Sequence, residues 1–244
     1  LAVPGSRGGA PAESVVPTGP VVQENQGEAA PAWTYQDLLK NRHDEELFEF
    51  YGLSQVVIVS LDGNATPLGE PALIRSGHPS PDGQHILVQT IHRPFSYIVP
   101  AGRFPNRIDV WDMRGQVEHE VANLPLKDQV PTVYGSVPTG VRSILWRPDA
   151  DATLYWTEAQ DGGDASREAD LRDAVFMHAA PFAGEPKRIA SLPLRFAGVR
   201  WAEDGFALVS ENWWLTRESR MYRITPDDPR GMDVIFDVST EDRY

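Results

Sequence analysis

From Gln55 onward apolar and polar residues alternate in short runs, and most runs are bounded by Gly, Pro, Asn or Asp. Period-two alternation marks strands with one buried face, and the bounding residues mark turns. The pattern predicts strands at 56–61, 67–74, 86–91, 107–112 and 116–122. Further strands follow at 141–146, 153–158, 174–179, 187–192, 196–201, 206–210, 221–224 and 233–238. Before Gln55 the pattern differs. Residues 4–32 are rich in Gly, Pro, Ala and Ser and predict a long loop or partly disordered insertion. Two short helices are expected next. Thr34-Tyr35-Gln36-Asp37 has the form of an N-cap with an acid three residues on, and Asp44 caps a second helix carrying Leu47, Phe48 and Tyr51. The acids Asp44, Glu45 and Glu46 fall in that first helical turn, where the helix dipole favours them.

Three strands run into tight acidic turns: Pro79-Ser80-Pro81-Asp82-Gly83, Trp146-Arg147-Pro148-Asp149-Ala150-Asp151 and Trp201-Ala202-Glu203-Asp204-Gly205. Asp82, Asp149 and Asp204 stand 67 and 55 residues apart. A repeat of short strands at this period predicts a β-propeller with one such turn per blade. The fold class expected is all-β: a partial β-propeller of about three to four four-stranded blades, with a short helical insertion near the N-terminus. Residues 1–54 hold the end of a strand, the loop and the helical insertion. Residues 55–74 form a half blade, and 75–125, 138–193 and 194–240 form complete ones. Closed propellers need roughly four to eight blades. The count therefore predicts either part of a longer protein or blades supplied by another chain. Leu1-Ala2-Val3 reads as the end of a strand, with the native N-terminus and any address upstream of it.

Within each blade the second-to-third connection is expected to be long, at 92–106, 159–172 and 211–219. Because strands alternate in direction, these three connections should emerge at one face and lie side by side. They are the natural place for function, since a propeller carries its chemistry on loops.

Composition narrows the classes. At 244 residues, 41% hydrophobic and 23% charged, the chain has the make-up of a globular protein with one substantial core. A net charge of −13 argues against nucleic acid or an anionic membrane as partner, since both need basic surfaces. The sequence has no run of 18 apolar residues that would span a membrane. With no cysteine there is neither a thiolate nucleophile nor a Cys-based zinc site. The six histidines show no His-x-x-x-His pair, so zinc is not expected, and with no glycine-rich phosphate loop either, no metal or cofactor is assigned. Asp161-Gly162-Gly163-Asp164, with Asp170 and Asp173 downstream, lacks the spacing of a calcium loop and reads as a glycine-rich turn.

Several stretches keep the order of motifs of one known group. They are Pro20-Val21-Val22-Gln23-Glu24-Asn25, Thr34-Tyr35-Gln36-Asp37-Leu38-Leu39 and Asp44-Glu45-Glu46-Leu47-Phe48. Further on come His92-Arg93-Pro94-Phe95-Ser96-Tyr97, Gly102-Arg103-Phe104-Pro105 and Glu158-Ala159-Gln160-Asp161-Gly162-Gly163-Asp164. Together they resemble the N-terminal propeller of the glutamyl endopeptidase-like branch of the prolyl oligopeptidase family, found in bacteria and in chloroplasts. The resemblance implies a parent serine peptidase with a C-terminal α/β-hydrolase domain as partner and peptides as substrates. Such a domain carries a Ser-Asp-His triad with its serine on a Gly-x-Ser-x-Gly elbow. No Gly-x-Ser-x-Gly occurs here, so no catalytic residue is assigned and the chain alone should be inactive. A periplasmic, secreted or organellar location goes with the resemblance.

A peptidase that cuts after glutamate must meet a carboxylate with fixed positive charge, and the planar fork of Arg does so best. The 92–106 connection offers Arg93 and Arg103, with Phe95, Tyr97 and Phe104 nearby as apolar walls. The 211–219 connection adds Trp213, Trp214 and Arg217. Of these, Arg93, Phe95, Tyr97, Arg103, Trp213, Trp214 and Arg217 are the candidate substrate-binding residues. Plain packing is the competing role for the aromatics, and a surface ion pair for Arg93. Two other functional classes stay in view: a free-standing propeller that binds a protein partner, and a propeller glycosidase or lyase, for which no paired carboxylates stand on the loop face. Open blade edges would also permit homo-oligomers.

Overall fold

The computed structural model describes residues 1–13, 34–202, 204–227 and 231–242. The Pro20–Asn25 motif, most of the Pro/Gly-rich loop and Glu203 lie outside the described residues. The chain divides into two compact units: residues 1–79 with 84–129, and residues 80–83 with 130–244.

The first unit holds one antiparallel sheet in chain order: β1 (Ser54–Val59), β2 (Ala65–Pro79), β3 (His85–Ile91), β4 (Asn106–Asp112) and β5 (Val117–Leu124). Ala2 exchanges two backbone hydrogen bonds with Gln55, both at 2.9 Å, so the outer side of β1 is partly paired. The pattern predicts an outer strand at 67–74 and a separate strand leading to Pro81. Instead, β2 is one 15-residue strand that serves both neighbours. Residues up to Ala72 pair with β1, and Leu73 onward pairs with β3. The switch is made by irregular backbone. Gly69 sits at φ 61°, and a Cβ there would lie 2.4 Å from the Trp111 ring. The register also shifts between Ile74 and Ser76, leaving Arg75 as the extra residue of a bulge.

One helix, α1 (Arg42–Gly52), precedes β1. Its cap is Asn41, not Asp44. The Asn41 side chain accepts a hydrogen bond from the Asp44 N–H at 2.9 Å, and Asp44 in turn accepts from the Lys40 N–H at 2.8 Å. The helix expected over 34–39 does not form. Asp37 takes φ 58°, which breaks a right-handed helix, and Tyr35 and Leu39 instead pack against Phe95, Val99 and Phe104.

The second unit holds two four-stranded antiparallel sheets. One runs β6 (Arg142–Trp146), β7 (Thr153–Ala159), β8 (Asp173–Ala179), β9 (Lys187–Leu192). The other runs β10 (Arg195–Trp201), β11 (Ala207–Trp213), β12 (Glu218–Ile224), β13 (Met232–Ser239). They pack through Val175, Ala190 and Leu192 on one side and Ala207, Val209, Tyr222 and Ile224 on the other. Leu192 and Val209 are fully buried. Burying a side chain of that size contributes about 1.5–3 kcal/mol.

The acidic turn after β6 is a structural clamp. Arg147 donates to both Asp149 oxygens, at 2.9 and 3.1 Å, reaches Asp227 at 3.1 Å, and lies 4.8 Å over the Trp201 ring. The long connections hold at 92–105 and 160–172, but the one expected over 211–219 is shorter. β11 continues to Trp213 and β12 starts at Glu218, leaving a tight four-residue turn, 214–217.

Candidate functional site

Each unit presents its own group of the candidate residues. In the first, the 92–105 connection is closed by the His92 N–H donating to the Pro105 carbonyl at 3.0 Å. Arg93 does not stand free. Its Nε and Nη2 donate to the two oxygens of Glu49 at 2.8 and 2.9 Å, and its Nη1 bonds to Glu45. Glu45 and Glu49 sit one turn apart on α1, so the guanidinium fork spans them and fastens the helix to the connection. Tyr97 joins the same cluster, its phenol donating to Glu45 at 2.6 Å. That bond, then burial and the carboxylate charge, pushes the Tyr97 phenol up to about 12. Burial raises the Glu45 carboxyl, but the hydrogen bonds from Tyr97 and Arg93 outweigh it and hold the pKa below the ordinary value. The acids of the first helical turn thus divide their roles. Asp44 caps, Glu45 takes Arg93 and Tyr97, and Glu46 pairs with Arg42 at 3.4 Å.

Phe95 is a core residue. It stacks on Phe104 at 5.3 Å and meets Phe48 edge-on at 5.1 Å, beneath the Arg93 guanidinium. Arg103 ends the short 3-10 turn Ala101–Arg103. It lies 5.7 Å over the Tyr35 ring and makes a long Nη1 bond of 3.4 Å to the Lys127 carbonyl.

In the second unit, the 160–172 connection and the 214–217 turn meet as the alternation of strands requires. The Arg172 guanidinium lies 3.8 Å over the buried Trp213 ring, and Ala165 and Leu194 close round it. Trp214 is turned outward. Its Nε1–H donates to the Tyr134 carbonyl at 2.7 Å and the two rings meet edge-on at 5.1 Å, with Tyr134 and Leu215 exposed beside them. Arg217 takes φ 59°, pairs with Glu241 at 3.2 Å, and lies 5.9 Å over the Trp214 ring.

Beneath this surface is a buried ionic network that the sequence reading missed. Asp161 accepts from Arg195 at 2.7 Å, from Arg172 at 3.0 Å, and from the Gly163 N–H at 3.0 Å. Asp173 accepts from Arg142 at 2.6 Å, Arg195 at 3.1 Å and the Phe196 N–H at 2.8 Å. Both carboxylates are fully buried. The glycine-rich turn at 161–164 was legible, but its acid answers to arginines as far as 34 residues away, and no local spacing signals that. Nearby, Glu211 is also fully buried and accepts from the Leu194 N–H and the Tyr222 phenol at 2.8 and 2.7 Å. Burial raises its carboxyl above the ordinary value despite those bonds. Among the described residues, no three His, Asp or Glu side chains gather as a metal site, and no helix is long and apolar enough to cross a membrane.

The chain is therefore an all-β scaffold whose charged loop residues are mostly tied to one another. It matches no protein-family model. Among curated proteins it is 45% identical, over 99% of its length, to a rice (Oryza sativa subsp. japonica) protein named "Probable glutamyl endopeptidase, chloroplastic". A protein of the same name from Arabidopsis thaliana is 43% identical over 99% of the chain. The chain spans 26% of the length of each of these relatives. Identity at this level along the whole chain establishes a relation to one segment of proteins so named.

Proposed function

We propose that this chain is the non-catalytic β-propeller segment of a serine endopeptidase resembling glutamyl endopeptidase. Its three sheets are the blades, and it gates access and positions peptide substrates for a C-terminal α/β-hydrolase domain. The observation that carries the reading is the 43–45% identity to the two relatives along 99% of the chain. The antiparallel sheets in strict chain order support it, since each propeller blade is such a sheet. So does the packing of β6–β9 against β10–β13. β1 and β13 leave Ile58, Val59, Val234, Ile235, Phe236 and Val238 exposed, as edges that pair with further strands do. Those strands come from the rest of the parent protein or from a second copy. The names of both relatives favour an organelle, the chloroplast, over the periplasm or secretion.

The candidate residues divide within this reading. Arg93, Tyr97 and Phe95 build the connection and anchor α1, and Trp213 builds the base of the second loop group. Arg103 in one unit, and Trp214 with Arg217 in the other, are the groups offered to peptide. The reading is tested in the parent enzyme with matched Glu- and Gln-containing peptides. Arg103→Ala lowers the Glu/Gln ratio of turnover, and Arg93→Ala leaves it unchanged. Equal ratios in wild type and Arg103→Ala, or no Gly-x-Ser-x-Gly encoded in the same reading frame, overturn it.

A second reading has one observation in its favour. Tyr134, Trp214 and Leu215 form an exposed apolar patch, the type of surface a protein-binding module presents. Retention of peptide turnover in the parent enzyme after Trp214→Ser with Leu215→Ser, combined with loss of a bound partner protein, would favour it.

A further inference from the structure

The turn between β11 and β12 carries an arginine in a backbone conformation that favours glycine. Trp213 and Glu218 close the turn as paired residues, and Arg217, its last member, takes φ 59°. Glycine adopts that conformation freely, whereas a Cβ disfavours it, so the side chain here works against the turn. The Arg217 guanidinium lies 5.9 Å over the Trp214 ring and pairs with Glu241 at 3.2 Å. Backbone bonds deliver that carboxylate. The Thr240 N–H donates to the Arg217 carbonyl at 2.7 Å, and the Glu241 N–H donates to Ser239 Oγ at 3.2 Å. Arg217 is half exposed and Glu241 more so, which makes theirs a pair that water screens and another carboxylate can replace.

Beside this arginine stands a rigid apolar ledge. Tyr134 is 71% exposed, yet the backbone around it is pinned. Its carbonyl accepts from Trp214 Nε1 at 2.7 Å, and the Gly135 carbonyl accepts from Arg195 Nε at 2.9 Å. Ser136 Oγ accepts from the Ala165 N–H at 3.1 Å, and the Val137 N–H donates to the Gly163 carbonyl at 2.9 Å. Gly135 permits the close approach: it takes φ 88°, and a Cβ there would lie 3.2 and 3.3 Å from the Trp213 and Trp214 rings. On this support the Tyr134 and Trp214 rings meet edge-on at 5.1 Å, with Val133 and Leu215 exposed beside them. Aromatic side chains on a fixed backbone lose little freedom when a ligand arrives.

We propose that Tyr134, Trp214, Leu215 and Arg217 form a docking site for an extended peptide segment in which an apolar side chain neighbours a carboxylate. The apolar side chain lies on the ledge, and the carboxylate takes Arg217 from Glu241, which holds it in this structure. Charge complementarity selects this occupant, because a purely apolar segment leaves Arg217 with Glu241 and gains nothing from it. That a docked segment is then presented for cleavage rests on the function proposed above.

Seven tryptophans give the nitrogen-15-labelled full chain seven indole N–H signals in NMR, and Trp214→Phe assigns the one that reports on the site. The probes are acetyl-Ala-Leu-Glu-Ala-amide, its Leu-Gln counterpart and its Ala-Glu counterpart, near neutral pH. The Leu-Glu peptide is expected to move the Trp214 signal. The Leu-Gln form should bind up to about fivefold more weakly, the size of an exposed ion pair, and the Ala-Glu form about tenfold more weakly. Glu241→Gln tightens the Leu-Glu peptide by up to about fivefold and leaves the Leu-Gln peptide unchanged. Glu168→Gln removes an exposed acid of the 160–172 connection and reports what net charge alone does, expected to be less than about twofold. Arg217→Gly suits the turn and keeps the fold, which an unmoved Trp156 signal checks, and it makes the Leu-Glu and Leu-Gln peptides equal. A Trp214 signal that ignores the Leu-Glu peptide, answers all three peptides equally, or shifts with chain concentration alone as a second copy covers the ledge overturns the site. So does a Glu241→Gln variant that changes Leu-Glu binding no more than Glu168→Gln does. If Arg103→Ala lowers the Glu/Gln ratio in the parent enzyme while Trp214 ignores the peptides, the docking site falls and the proposed function stands. Should the Leu-Glu peptide bind at Trp214 while Leu215→Ser leaves turnover in the parent enzyme untouched, the docking site stands and its part in cleavage falls.

Discussion

The most exacting prediction concerns Asp161. Its carboxylate is fully buried and takes hydrogen bonds from Arg195, Arg172 and the Gly163 N–H at 2.7, 3.0 and 3.0 Å. Asp161→Asn preserves size and leaves an oxygen for Gly163, so the change is one of charge. Around it, among the described residues, Arg142, Arg172 and Arg195 are paired with Asp161 and Asp173; the variant sets three cations against one anion. Two charge-assisted bonds are each worth about 1.5–3 kcal/mol. Uncoupling a buried ion pair typically costs about 3–5 kcal/mol, because the partner charge stays behind. The upper half of that range is expected, since no water-exposed route relieves Arg195, whose side chain is 7% exposed. Urea unfolding followed by tryptophan emission is the assay. Trp146, Trp156, Trp201, Trp213 and Trp214 all lie in the unit that holds Asp161, and Trp213 is stacked under Arg172. A double-mutant cycle with Arg172→Met should return a coupling of about 0.5–3 kcal/mol. A loss below about 1 kcal/mol for Asp161→Asn, with no coupling to Arg172, would refute the view that this network holds the two connections in place.

Three further outcomes can be checked. Glu211 has its folded pKa raised by burial, so the folded state holds a proton that the unfolded state has released. Stability from this group is full below the ordinary carboxylate pKa and is lost as pH rises through the raised value, and Glu211→Gln should flatten that fall in a melting series across mildly acidic pH. Gly163 adopts φ 76°, and a Cβ there would stand 2.1 Å from the Val137 carbonyl oxygen. Gly163→Ala should therefore cost more than about 1 kcal/mol in the same urea assay, and a neutral result would contradict the close approach. Arg93→Ala removes the fork that joins α1 to the 92–105 connection. Because Arg93 is half exposed, the expected loss is about 0.2–1 kcal/mol per pair, read as faster hydrogen exchange confined to α1.

Strand positions were written plainly in the chain. β9 covers 187–192 as the alternation predicts, and β4, β7 and β8 differ by single residues at their ends, because period two reports which face of a strand is buried. Departures came where two local signals competed. Asp44 and Asn41 are both good caps, and three residues of spacing let Asn41 cap while Asp44 reaches back to Lys40. At β2, Pro67, Gly69 and Pro71 read as a weak strand that should end, whereas irregular backbone and the Trp111 ring carry it on to Pro79. Arg93 drew attention as a free fork in a loop; its carboxylate partners lie 44 and 48 residues earlier, on a helix face that only the folded chain brings near.

By itself the sequence determined the all-β class, the alternation of short strands and turns, and the connections on which charged and aromatic residues gather. Those properties follow from short-range alternation and from turn chemistry, which act within a few residues. Tertiary structure alone decided which charges are spent and which are left over. Asp161 and Asp173 consume Arg142, Arg172 and Arg195, and Glu45 and Glu49 consume Arg93, while Arg103 is left to a backbone carbonyl and the Tyr35 ring. Ion pairing depends on separations of a few ångströms in space, and separation along the chain does not report them.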